Sequence, residues 1–166
     1  MAGRIVFSLL ACMLLSGCSY SYDILAVVQH GRLMFVVDPK SSHHPSCLRE
    51  IEVTARSGNR ATATSGDDES RVGYGTFWFE SVDHADGCAN TYPLPYGSSL
   101  SGKVLSDREK VTPKPLLRDV EYEVRATTGA TGYGGGQFIL HRNGQVENLP
   151  REKLEASEAA NASNSR

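Results

Sequence analysis

Two copies of one spacing hold the residues with the most chemistry in this chain. His43 stands four positions before Cys47, and His84 stands four positions before Cys88. Two His-x-x-x-Cys pairs supply the four donors of a tetrahedral Cys₂His₂ site, and those donor types suit zinc. Asp83 and Asp86 flank His84, as further ligands or as solvated turn residues. The competing chemistry is oxidation of the two thiols. Zinc pairings usually have shorter cysteine spacings, and both segments read as loops, so the compartment decides. In an oxidising one, Cys47 and Cys88 are expected to form a disulfide, with the metal set His43, Cys47, His84 and Cys88 as the alternative. Closing a loop of about 40 residues stabilises a fold by about 4 kcal/mol at most.

The compartment is legible at the start of the chain. Arg4 provides a positive charge, residues 5–15 form an apolar run, and Ser16-Gly17 are the small residues that a signal peptidase requires. The run is too short for a transmembrane helix, which needs about 20 apolar residues. Ser19-Tyr20-Ser21-Tyr22-Asp23 then turns polar at once. An ordinary secretory signal cleaved near this point is one reading. However, Leu15-Ser16-Gly17-Cys18 resembles the lipobox of bacterial lipoproteins at all four positions. That resemblance implies that Cys18 becomes the first mature residue, with a diacylglycerol on its sulfur and an acyl group on its amine. Each buried CH₂ contributes about 0.8 kcal/mol, so two or more chains anchor stably. Ser19, where an Asp would retain such a protein at the inner membrane, implies the outer membrane, facing the periplasm. The covalent lipid on Cys18 is the only prosthetic group expected.

Removing residues 1–17 leaves 166 − 17 = 149 residues, enough for one domain. Arg4 is the only charge lost, so 17 − 1 = 16 basic residues face 19 acidic ones, a net charge of −3. A mild acidic balance without a basic cluster argues against nucleic acid as a partner. The lipid is the expected membrane contact. The organisation read from the sequence is a signal peptide (1–17), a lipidated tether (18–23), a β domain (24–150) and a frayed or disordered tail (151–166). The tail lacks an apolar stripe and closes on the polar stretch Asn161 to Arg166.

Strand patterns dominate the domain, and no convincing helix precedes the tail. The runs 24–29 and 33–37 are apolar and β-branched, and the Gly-containing link His30-Gly31-Arg32 predicts a hairpin. Leu48, Ile51 and Val53 predict a third strand, with a possible bulge at Glu50-Ile51. Residues 57–70 read as a long hairpin around the weak strand 61–64, residues 72–82 as an aromatic strand, and 100–105 as a further strand. Trp78, the only tryptophan, reads as a core plug. The clearest strand is Val120 to Ala126, where apolar and charged residues alternate strictly. With Leu116 six residues before Tyr122, its approach resembles the tyrosine corner of fibronectin type III and other Ig-like domains, though Arg118-Asp119 replaces their Pro-Gly turn. The fold class expected is all-β: a single small antiparallel β-sandwich, Ig-like or alternatively transthyretin-like.

Binding candidates sit in loops. Tyr92 and Tyr96 flank Pro93 and Pro95 and form either an exposed lip or staples onto the core. The glycine-rich run 129–136 offers Tyr133 and Gly134, as a loop tip or a bulged strand approach. Nucleotide binding is not expected there. A Walker loop needs Gly-Lys-Ser or Gly-Lys-Thr, and a dinucleotide turn needs a helix after its third glycine. No serine lies in a Gly-x-Ser-x-Gly elbow, and no catalytic constellation stands out. The reading is a membrane-anchored envelope lipoprotein with a non-catalytic structural or interaction role. A module for a small ligand or metal, using the 129–136 run or the His/Cys pairs, is the alternative.

Overall fold

The computed structural model describes residues 19–56, 58–83, 88–104 and 109–150. Regular structure among them comprises β1 (Tyr20–Gln29), β2 (Arg32–Val37), β3 (Glu50–Ala55), α1 (Glu69–Gly73), β4 (Thr76–Ser81), β5 (Leu94–Pro95), β6 (Glu121–Thr127), β7 (Gly132–Leu140) and β8 (Val146–Leu149). The domain is all-β, as predicted. The signal segment with its lipobox, His84 with Asp86, and the tail 151–166 lie outside the described residues.

The strands follow one hydrogen-bonded path, β4-β3-β6-β7-β1-β2-β5, with β8 paired to the second half of β7. The sheet is mixed rather than purely antiparallel, and it curls into a half-barrel. Its curl originates in β1, which runs parallel to β7 from Tyr20 to Asp23 and antiparallel to β2 from Ile24 to Gln29. Because the path bends back on itself, Phe35 of β2 stacks on Trp78 of β4 with ring centroids 6.4 Å apart. Phe35 also meets Phe138 of β7 edge-on at 5.7 Å. Trp78 is fully buried, as its reading as a core plug requires.

Local chemistry explains the best-defined elements. The β1–β2 hairpin turns on His30 (φ 51°) and Gly31 (φ 74°), and two positive φ values in a two-residue loop match the right-handed twist of the flanking strands. In β6, Tyr122, Val124 and Ala126 are buried while Arg125 is exposed, so the period-two reading of its faces holds. The Leu117 N–H donates to Tyr122 Oη at 2.8 Å, so this hydroxyl bonds back to the loop that precedes β6.

Several boundaries differ from the sequence reading. Tyr20 to Asp23, read as tether, belong to β1, since glycines on β7 let that segment lie close. Residues 61–64 form no strand; instead the buried Lys114 ammonium bonds Asp67 and Thr64 Oγ1 (2.6 Å) and pins this segment. Burial alone would raise the pKa of Asp67. Lys114 and the Thr64 and Thr112 N–H groups outweigh that and hold it well below the usual carboxylate range.

A one-turn helix, α1, spans the end of the hairpin read over 57–70 and the start of the strand read over 72–82, which begins only at Thr76. Asp68 caps it by accepting the Ser70 and Arg71 N–H groups (2.9 and 3.2 Å), and Arg71 lies 3.6 Å above the Phe79 ring. That packing, with Val72 and Val111 beside Phe79, covers the second face of β4, so Thr76 to Glu80 are all buried. The irregularity in β3 falls between Val53 and Thr54 rather than at Glu50-Ile51. The strand expected over 100–105 reduces to a single bridge, Val104 to Val82, and Leu105 lies outside the described residues.

Candidate functional site

The first candidate chemistry resolves as the disulfide. Cys47 and Cys88 are bonded, with Cα atoms 5.6 Å apart. A disulfide sulfur is no thiolate, so this pair cannot also serve a tetrahedral zinc site. His43 is engaged elsewhere, stacked on Tyr20 at 4.8 Å and bonded to Ser42 Oγ. The bridge ties the loop before β3 to the loop after β4, where the Leu48 N–H already donates to the Asn90 carbonyl (2.9 Å). Reduction is expected to lower stability by about 2–4 kcal/mol. Thermal melts with and without reductant check this, and a chelator should change neither curve. Stoichiometric zinc in protein taken from its native compartment would reverse the assignment.

Tyr92 and Tyr96 act as staples rather than a lip. Tyr92 Oη bonds Tyr22 Oη at 3.1 Å, and Tyr96 Oη donates to the Lys114 carbonyl at 2.7 Å. Burial pushes the Tyr22 phenol up to about 12, against a smaller lowering by its bond to Tyr92. The Tyr92 and Tyr96 phenols are raised as well, chiefly by burial, so all three stay neutral and keep their protons to donate. Of the glycine-rich run 129–136, Gly132 to Gly136 belong to strand β7, as its strand reading requires, while 129–131 stay outside it. Gly132, Gly134 and Gly136 face β1 at every second position, and a Cβ on Gly134 or Gly136 would lie 2.5 Å from the Tyr22 ring or 2.0 Å from the Ile24 carbonyl oxygen. Tyr133, on the opposite face, is half exposed.

A site that the sequence did not announce lies where β1 leaves β7. Their parallel pairing ends at Asp23 and Gly135, while β8 begins to pair with β7 only at Gln137. Between them opens a cleft of about 450 Å³, lined by Asp23, Asp38, Lys40, Gln137, Leu25 and Leu149 among others. The Asn148 side chain partly bridges this fork. Its Oδ1 accepts the Ala26 N–H (2.7 Å) and its Nδ2 donates to the Ala26 carbonyl (2.8 Å), replacing a strand's backbone with an amide.

The opposite rim is equally organised. The Asp38 N–H donates to the Asp23 carbonyl (2.8 Å), the Asp23 N–H to Ser41 Oγ (3.0 Å), and the Lys40 N–H to Asp38 Oδ1 (2.8 Å). Gln137 is the exception. Only 3% of it is exposed, yet its Nε2 donor has no hydrogen-bond partner. A buried amide without a partner costs about 1–3 kcal/mol, which makes the position unusual.

The other polar cluster lies on the surface. His141 bonds Asp119 (3.2 Å) through Nδ1 and Glu147 (3.1 Å) through Nε2, and these two, Asp119 first, raise its pKa. The cluster ties the corner before β6 to the β7–β8 hairpin. Among the described residues no group of three or more His, Cys, Asp or Glu side chains is arranged to hold a metal ion. Comparison with known protein families, curated proteins and solved structures finds no match to this chain.

Proposed function

We propose that this chain is a lipid-anchored protein of the bacterial cell envelope, held through Cys18 at the outer membrane with its β domain facing the periplasm. The disulfide Cys47–Cys88 is the observation that carries the reading, because such bonds persist in oxidising compartments and a lipobox addresses a chain to one. The start of β1 at Tyr20 supports it further: the domain begins two residues after the cysteine that would carry the lipid. The role assigned is binding or structural rather than catalytic. Its polar clusters are staples of the fold, and the cleft at the β1–β7 fork favours a small ligand as the thing bound.

The test is Cys18→Ala in the host bacterium. The variant should lose membrane fractionation and keep its uncleaved, unacylated mass, whereas the parent should carry acyl chains on Cys18. A variant whose fractionation and mature mass match the parent would overturn the anchor. Mass spectrometry of the purified mature protein reads the acylation and the disulfide together.

A further inference from the structure

We propose that the cleft at the β1–β7 fork is a binding site for a small zwitterion: a free α-amino acid or the equivalent short peptide. The site exists because one strand changes partners. Asp23 pairs with Gly135, Gly136 lets β7 approach the Ile24 carbonyl, and beyond them β1 turns away toward β2, leaving a cleft of about 450 Å³. A volume of that size falls within the range of small-molecule sites.

The lining selects the ligand by charge. Gln137 offers a buried N–H donor with no partner, and so needs an acceptor. Lys40 makes no ion pair among the described residues and adds a positive charge at the rim. Asp23 and Asp38 place two carboxylates on the same cleft. An anion alone would meet those carboxylates, and a cation alone would meet Lys40 and leave the Gln137 donor unmatched. A molecule with both an ammonium and a carboxylate can present its ammonium to Asp38 and its carboxylate to Lys40 and the Gln137 donor. Ile24, Leu25, Leu149 and Pro150 supply apolar wall for a short aliphatic side chain.

The assignment does not depend on the lipid anchor, so its test uses mature protein in solution. Leucine, 4-methylpentanoate (leucine without its amine), 3-methylbutylamine (leucine without its carboxylate) and leucylglycine are titrated separately, each to about 10 mM, above the range of a millimolar site. Nuclear magnetic resonance follows the backbone amides of Gly135 and Gly136 and the side-chain amide of Gln137. Leucine or leucylglycine should shift all three, the tighter of the two identifying the source. The singly charged analogues should bind at least about tenfold more weakly.

Gln137→Leu, of similar volume, should abolish the shifts at Gly135 and Gly136 while its melting temperature stays level or rises. Lys40→Ala, at an exposed position, should fold normally and weaken both zwitterions. The proposal fails if neither zwitterion shifts these amides, if the singly charged analogues bind as well, or if both variants bind like the parent.

Discussion

Alanine at Gly136 is expected to destabilise the domain by about 3 kcal/mol or more, whereas alanine at Gly135 should stay within about 0.5 kcal/mol of the parent. The two neighbours differ only in the face they present. A Cβ on Gly135 meets nothing within 4 Å, but one on Gly136 would lie 2.0 Å from the Ile24 carbonyl oxygen and 3.0 Å from its carbon. Those are backbone atoms of β1, so no side chain can swing aside, and relief requires β1 to move away from β7. Such a shift weakens the parallel pairing that starts at Tyr20 and disturbs Ile24, which is buried in the core. Gly134→Ala should be less costly, because its obstacles are the Tyr22 ring and the Ile24 methyl (2.5 and 2.7 Å), which have some freedom to repack. Urea titration orders the three variants. Equal losses at Gly135 and Gly136 would mean that β1 does not lie where described.

The second large effect belongs to Tyr122. Its ring is fully buried, edge-on to Phe77 at 5.2 Å and stacked on Phe138 at 5.6 Å. Tyr122→Ala should cost about 3–5 kcal/mol, since it removes that contact and leaves a cavity. Tyr122→Phe keeps the ring and removes the hydroxyl that accepts the Leu117 N–H and donates at 3.5 Å to the Leu117 carbonyl. Leu117 is 43% exposed, so water can take over the orphaned donor, and the cost should fall near the low end, about 1 kcal/mol. The flanking acids are the controls. Glu121 pairs with Arg56 (3.3 Å) and Glu123 with Arg125 (2.8 Å), and surface pairs of this kind contribute about 0–1 kcal/mol. The same titration decides: alanine at either glutamate as damaging as Tyr122→Ala would place the wrong face of β6 in the core.

What was legible in the sequence follows from how local each signal is. Strict alternation in β6 and the His30-Gly31 turn are determined by neighbours a few residues apart, and both read correctly. The cysteine pairing was legible for a different reason, because Cys47 and Cys88 are the only cysteines after the lipobox.

The glycine-rich run stayed open between a loop tip and a strand approach because glycine has low strand propensity and its partner, β1, lies more than a hundred residues upstream. A signal was nevertheless there: Gly132, Gly134 and Gly136 recur with the period of a strand, marking one flat face. Helix α1 has its cap in Asp68 but only Val72 as a buried residue, too little stripe to register. The cleft had no local signature at all. Gln137 looks like any outward polar residue of a strand, and only the departure of β1 from β7 makes it a buried donor beside a cavity.

The placement of β1 also bears on the order in which the chain can fold. Its hairpin with β2 and the β6-β7-β8 meander each join strands that follow one another in sequence. Closing β1 against the meander is different: Tyr20 meets Thr128 across 108 residues, and Ala26 meets Asn148 across 122. Contacts of such long range must overcome loop-closure entropy before they reward it, and domains dominated by them fold in about milliseconds to seconds rather than microseconds. Until that closure, Tyr20 to Asp23 and the first half of β7 are unpaired edges, open to association with other chains. The residues that begin the domain are therefore expected to be among the last to reach their native partners.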